Sequence, residues 1–245
     1  MFGCKEQFDN IVSLGYNCQT AFAIQAMYYG KTKPSSSFFN WVFCHSVANI
    51  INFFDHPEKM FGKGMEFSRE SFMYKDVEMG LSYHSKIPHL EKISDGLIEK
   101  SKAEVMSRMT YLKNKFFANM KSESKNLYVL VYPSWENKAK LFEYIKALSE
   151  AIQKYCGNKN SKLMIVFEKK YIKKIDLPSY DNVIYRVIRK HSVVSRANEI
   201  DFFGWYFNVL KGIKILNVPK KSLLNIYRFK CAYEITFFHK IIKRS

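Results

Sequence analysis

The stretch SLGYNC, residues 13–18, ends a short apolar run on a glycine, sets an asparagine beside a cysteine, and leads into helix-forming residues. Gly15 tolerates backbone angles that other residues resist, so the chain can turn sharply there. Asn17 is a favoured helix N-cap. Cys18 then falls in the first turn of a helix, where unpaired backbone N–H groups and the helix dipole favour a thiolate. The same amides, Asn17 included, suit the oxyanion formed when sulfur attacks a carbonyl. The residue types match a cysteine nucleophile; the plain alternative is a thiol packed under a helix start.

A thiol nucleophile needs a base, and histidine is the usual one. Six are present, at 45, 56, 84, 89, 191 and 239. His84 lies in LSYHSKIPH, after a short strand and before a proline. His191 follows VIYRVIRK, at the carboxyl end of a strand, where open α/β sheets place their sites. Asn198 or Asp201 would orient its imidazole. Both histidines stay open as the base. Trp41 in FFNW and Trp205 in FFGW flank the two candidate regions and suit an aromatic wall for substrate, or plain core packing. The other cysteines, at 4, 44, 156 and 231, read as small buried hydrophobes. No C-x-x-C pair occurs, so neither a zinc site nor a dithiol motif is expected, and no metal or cofactor is implied.

The elements that must hold these residues follow from periodicity. A strand or buried turn is expected over 10–15 and a helix over 17–29. A second helix is expected over about 45–54 and a long helical pattern over about 90–118. LYVLVYP (127–133) is the continuous apolar run of a buried parallel strand. A helix is expected over 136–155, stopped by Gly157 and Asn158. KLMIVFE and VIYRVI (183–188) are further strands. Residues 56–82 receive no assignment. The class is α/β: a single domain over 1–245, with a βαβ-containing, mostly parallel sheet flanked by helices and a Cys-bearing helix near the N-terminus. The end of the chain, SLLNIYRFKCAYEITFFHKIIKRS, reads as an amphipathic helix that packs on the core.

With 245 residues, 47% hydrophobic and 16% aromatic, the chain can bury a large core. It carries 39 Lys and Arg against 22 Asp and Glu, a formal charge of +17. Such a field attracts an anionic glycan or a membrane surface. The lysines are spread and no nucleic-acid-binding signature appears, so nucleic acid is not an expected partner. No apolar run reaches membrane-spanning length and no signal pattern opens the sequence. A cytoplasmic location is expected, with peripheral membrane contact as the variant.

Taken in order, SLGYNC (13–18), SSSFFNW (35–41), YHS (83–85), the helix around Arg108, LYVLVY (127–132) and HSVVSRANEIDFFGWY (191–206) resemble the motifs of the uncharacterised bacterial papain-like cysteine peptidases. The resemblance spans most of the chain. It implies that Cys18 is the nucleophile and His84 the base. The aspartate of the family's F-D-W segment is Asn40 here, and that of its H-D pair is Ser85. An asparagine can still hold an imidazole by hydrogen bonding, as in Cys-His-Asn sites.

The function expected is that of a thiol enzyme that hydrolyses or transfers an acyl or amide group of a peptide, amide or acyl substrate. The alternatives are an acyltransferase linked to cell-surface glycan synthesis and a non-catalytic protein that recognises an anionic partner. A glycosyltransferase would want a D-x-D-type metal site, and none is present.

Overall fold

The computed structural model describes residues 6–16, 18–29, 37–85, 87, 93–173, 175–189, 204–216, 218, 220–222 and 224–227; at Gln19 and Trp41 it describes the backbone alone. The N-terminal strand comes in two pieces, β1 (Glu6–Phe8) and β2 (Asn10–Ser13), interrupted at Asp9. β2 pairs in parallel with β7 (Asn126–Val131), β7 with β8 (Lys162–Glu168), and β8 with β9 (Val183–Ile188). β1 pairs in parallel with β10 (Ile213–Ile215). The interruption is pinned from both sides: Asp9 N–H donates to Lys125 O at 2.8 Å, and Lys125 N–H to the Asp9 carboxylate at 2.7 Å.

Every residue of β7 is buried, as is every residue of β8 after Lys162, which is why both read as unbroken apolar runs. α4 (Leu141–Tyr155) joins them, burying Leu141, Ile145, Leu148 and Ile152 along one stripe. α3 (Asp95–Lys121) buries Val105, Met109, Leu112, Phe116 and Met120 at spacings of three and four. Between α3 and α2 (Val47–Asp55) sits an aromatic layer in which Phe38 stacks on Phe53 at 4.5 Å and Phe53 on Phe117 at 5.4 Å.

The α/β class and the prevalence of parallel pairing match the sequence reading. The second sheet was not legible. β3 (Val42–Cys44), β6 (Leu81–His84), β5 (Met73–Asp76) and β4 (Met65–Ser68) form an antiparallel sheet in that spatial order. Its strands are three or four residues long, too short to show a period. The helix expected over 45–54 starts at Val47 instead, because Ser46 accepts from Ala48 N–H while Asn49 reaches back to Ser46 N–H. The helix expected over 17–29 is α1 (Cys18–Ile24) followed by a wider π-turn over Gln25–Tyr29. The long helix starts later than periodicity alone suggested, at Asp95, where Ser94 caps it by accepting from Leu97 N–H. The helix expected over 136–155 starts at Leu141, after a 3₁₀ turn over Lys138–Lys140. Of the C-terminal helix expected over 222–245, residues 224–227 are helical, and those after 227 lie outside the described residues.

Gly157 does more than stop α4. Its N–H donates to Met120 O at 2.9 Å, and a Cβ there would meet the backbone carbonyl oxygens of Lys121 and Ser122. Backbone cannot rotate away as a side chain can. Gly157→Ala should therefore lower the unfolding free energy by about 1–3 kcal/mol, read as a lower urea midpoint at unchanged slope; an unchanged midpoint would show that the helix junction has slack.

Candidate functional site

The chain leaves the parallel sheet through Ser13–Tyr16. Leu14 N–H still donates to Val129 O at 2.9 Å. Gly15 then takes φ +88°, in the left-handed region open to glycine, and its N–H donates to Ser13 Oγ at 3.2 Å. The Thr20 hydroxyl donates to Gly15 O at 3.3 Å, tying the first turn of α1 back onto the loop. Cys18 opens α1 as a half-buried thiol just beyond the carboxyl end of a parallel strand. Asn17, its expected cap, lies outside the described residues.

Tyr16 joins the two sheets. Its carbonyl accepts from Cys44 N–H at 2.8 Å, and its buried ring stands edge-on to Trp135 at 4.9 Å and to Phe43 at 6.4 Å. Trp135 donates through Nε1 to His45 O at 3.3 Å and keeps 45% of its surface exposed. Beside it, the Glu136 carboxylate accepts from the Ser46 hydroxyl at 3.1 Å and from Val47 N–H at 2.7 Å. The loop after β7 thereby fixes the start of α2, with a negative charge at its N-terminus. Neither Trp135 nor Glu136 was singled out from sequence; the signal available was their place directly after an apolar strand.

The antiparallel sheet brings two histidines onto one face. Phe43 and Lys75 both stand opposite Ser82, and His84 lies two residues further along β6. His45 lies beyond the other end of β3, with Nε2 3.3 Å from Ser82 Oγ and its ring 4.8 Å from Phe43. The backbone positions of the two histidines stand about 13 Å apart along the strands, and the His45 ring leans back toward Ser82. Partial burial pushes the pKa of both below the ordinary value, and the nearby Lys75 ammonium pushes His45 further. Both are therefore neutral near pH 7 and able to accept a proton.

Val42 pairs with Tyr83. FFNW runs directly into Val42, so FFNW and YHS, distant in sequence, end near one another. α1 packs against the Phe38–Trp41 turn. A cavity of about 310 Å³ lies between α1, this turn, β2 and α3, and Ser13, Ser37, Asn40, Lys115 and Asn119 line it. Ala21 and Ile24 form its α1 wall. Cys18 lies one turn before Ala21 on the same helix.

The sequence-derived candidates thus divide. Cys18 and Asn40 come from elements in contact, and His84 lies on the strand paired with β3, which follows the Asn40 turn. Trp205 is 1% exposed, on a π-turn over Trp205–Val209 packed against β9, so it fills core rather than facing a ligand. His191, Asn198 and Asp201 lie outside the described residues, as does the side chain of Trp41. Cys44 and Cys156 are buried, and burial raises both thiols above the ordinary range, as expected for packing cysteines. Among the described residues no group of three or more His, Cys, Asp or Glu side chains gathers, and no helix is long and apolar enough to cross a membrane.

Comparison with family models, with curated proteins and with solved structures finds no match to this chain.

The histidine environments set a pH dependence. A histidine whose folded pKa lies below its unfolded value of about 6.5 supplies stability that is present above that value and lost as pH falls through the folded pKa. Urea unfolding followed from about pH 7.5 to about pH 5 should show stability falling on acidification. The double variant His45→Gln/His84→Gln should have a shallower fall; an identical acid limb would mean that other groups carry it.

Proposed function

We propose that this chain is a thiol enzyme of the papain-like kind, with Cys18 as nucleophile, His84 as base and Asn40 as the orienting amide. The observation that carries the reading is the convergence of three separate segments. α1 begins with Cys18, packs on the turn that holds Asn40, and that turn runs into the strand paired with the His84 strand. Of the motifs that resemble those of the papain-like peptidases, SLGYNC and FFNW contribute Ser13 and Asn40 to one polar cavity, and YHS lies on the strand paired with the one that follows FFNW.

The chemistry that fits is acyl transfer. His84, neutral near pH 7, takes the Cys18 proton, and the sulfur forms a bond to the substrate carbonyl carbon. The tetrahedral oxyanion faces the first turn of α1. Collapse expels the amine or alcohol, which takes the proton back from the imidazolium, and leaves a thioester on Cys18. Water then releases the acid, or a second nucleophile accepts the acyl group. The cavity, lined among the described residues by amides, hydroxyls and the cation Lys115 together with Ile11, Ile24 and Phe116, suits a small acyl group that carries a polar end.

The test is the alkylation rate of Cys18 against pH, resolved by peptide mass spectrometry in wild type and in the variants His84→Ala, His45→Ala and His191→Ala. The proposal expects a Cys18 midpoint well below about 8.5 that rises in His84→Ala alone. A rise only in His45→Ala or His191→Ala would move the base to that residue. An ordinary midpoint in all four proteins would remove the nucleophile reading and leave recognition of an anionic partner.

A further inference from the structure

A second, larger groove of about 840 Å³ lies against β10 and the π-turn over Trp205–Val209. Tyr28 forms one wall, ten residues along the helical segment from Cys18 and so about 15 Å from the thiol. The groove is built on an apolar base, with Leu210, Ile213 and Ile215 all buried. Its rim is cationic. The alternation of β10 turns Lys214 outward between the two isoleucines, and Lys211 is exposed in the turn before it. A third cation is held in place: Lys220 Nζ donates to Tyr206 O at 2.8 Å and Leu210 O at 3.1 Å, and stands 4.1 Å from the Tyr206 ring centre. None of the described lining residues is acidic.

Around this rim the apolar surface points outward. Phe207 lines the groove with 51% of its area exposed. Leu224 and Tyr227, four and seven residues beyond Lys220, are 58% and 61% exposed. A soluble anion would use the lysines and leave these side chains in water. A lipid surface uses both, because lysines meet the headgroup charge while aromatic and aliphatic side chains enter the acyl boundary. The overall charge of +17 adds long-range attraction to the same surface.

We propose that this groove seats the protein on an anionic membrane, with a lipid phosphate between Lys211 and Lys214 and the Phe207 ring in the acyl layer. The inference is independent of the Cys18 chemistry. The test is co-sedimentation of the full chain with phosphatidylcholine vesicles, with and without phosphatidylglycerol. Binding is expected only to the anionic vesicles and should weaken with salt. Two neutralised lysines, Lys211→Gln/Lys214→Gln, should lower the affinity about tenfold or more, and Phe207→Ser should lower it without changing the salt dependence. Cys18→Ser should bind as wild type does, which separates this result from that of the thiol reading.

A control pair on another surface, Lys59→Gln/Lys63→Gln, should bind at least several-fold better than the groove pair. Equal loss in both pairs would show attraction by net charge alone and overturn the groove. Absence of vesicle binding, or saturable binding of inorganic phosphate with no vesicle binding, would also overturn it. The substituted lysines are exposed, and unchanged thermal melting checks that the variants fold.

Discussion

The candidate site rests on one constraint: within four residues the chain must leave a parallel sheet and be captured by an antiparallel one. Leu14 is still bonded to β7, Gly15 turns in the left-handed region, and Tyr16 already receives a hydrogen bond from β3. No freedom remains between these ties. The start of α1, and with it Cys18, is placed by backbone bonds on both sides rather than by the side chain of the cysteine. A residue with a Cβ at position 15 would strain this turn, which is the physical meaning of the glycine in SLGYNC.

The second sheet is held to the first by the loop that follows β7. Trp135 covers the Tyr16 ring and bonds the His45 carbonyl, while Glu136 takes the hydroxyl and N–H that open α2. Buried carboxylates are costly when unpaired, and this half-exposed one has two donors. The histidine-bearing sheet is thereby tied to the segment that leads into Cys18. Reacting groups held on such elements keep their geometry better than groups on free loops.

Much of the parallel half was legible because burial on both faces leaves an apolar run that no helix of that length would need; LYVLV and KLMIVFE are such runs. The cysteine helix was legible from Gly15 and the residues after it. The antiparallel sheet was not, since its strands offer three or four positions each and mix Met, Tyr, Lys and Asp. That gap hid the pairing of Val42 with Tyr83, which is what brings FFNW near YHS. It also hid His45, whose contact with the Ser82 hydroxyl depends on a register that no local pattern encodes. Trp205 stayed open in the sequence for a different reason: a tryptophan beside a glycine looks the same whether it lines a cleft or fills a core.

The central claim is that the Cys18 sulfur forms a covalent bond to an acyl carbon. The direct measurement is rapid-quench mass spectrometry of the intact chain mixed with an activated acyl ester, followed by peptide mapping. The account predicts a single acyl group on Cys18 that forms before product is released, is removed by hydroxylamine, and is absent from Cys18→Ser. Acylation spread over lysines and other cysteines, at the same rate in Cys18→Ser, would contradict it.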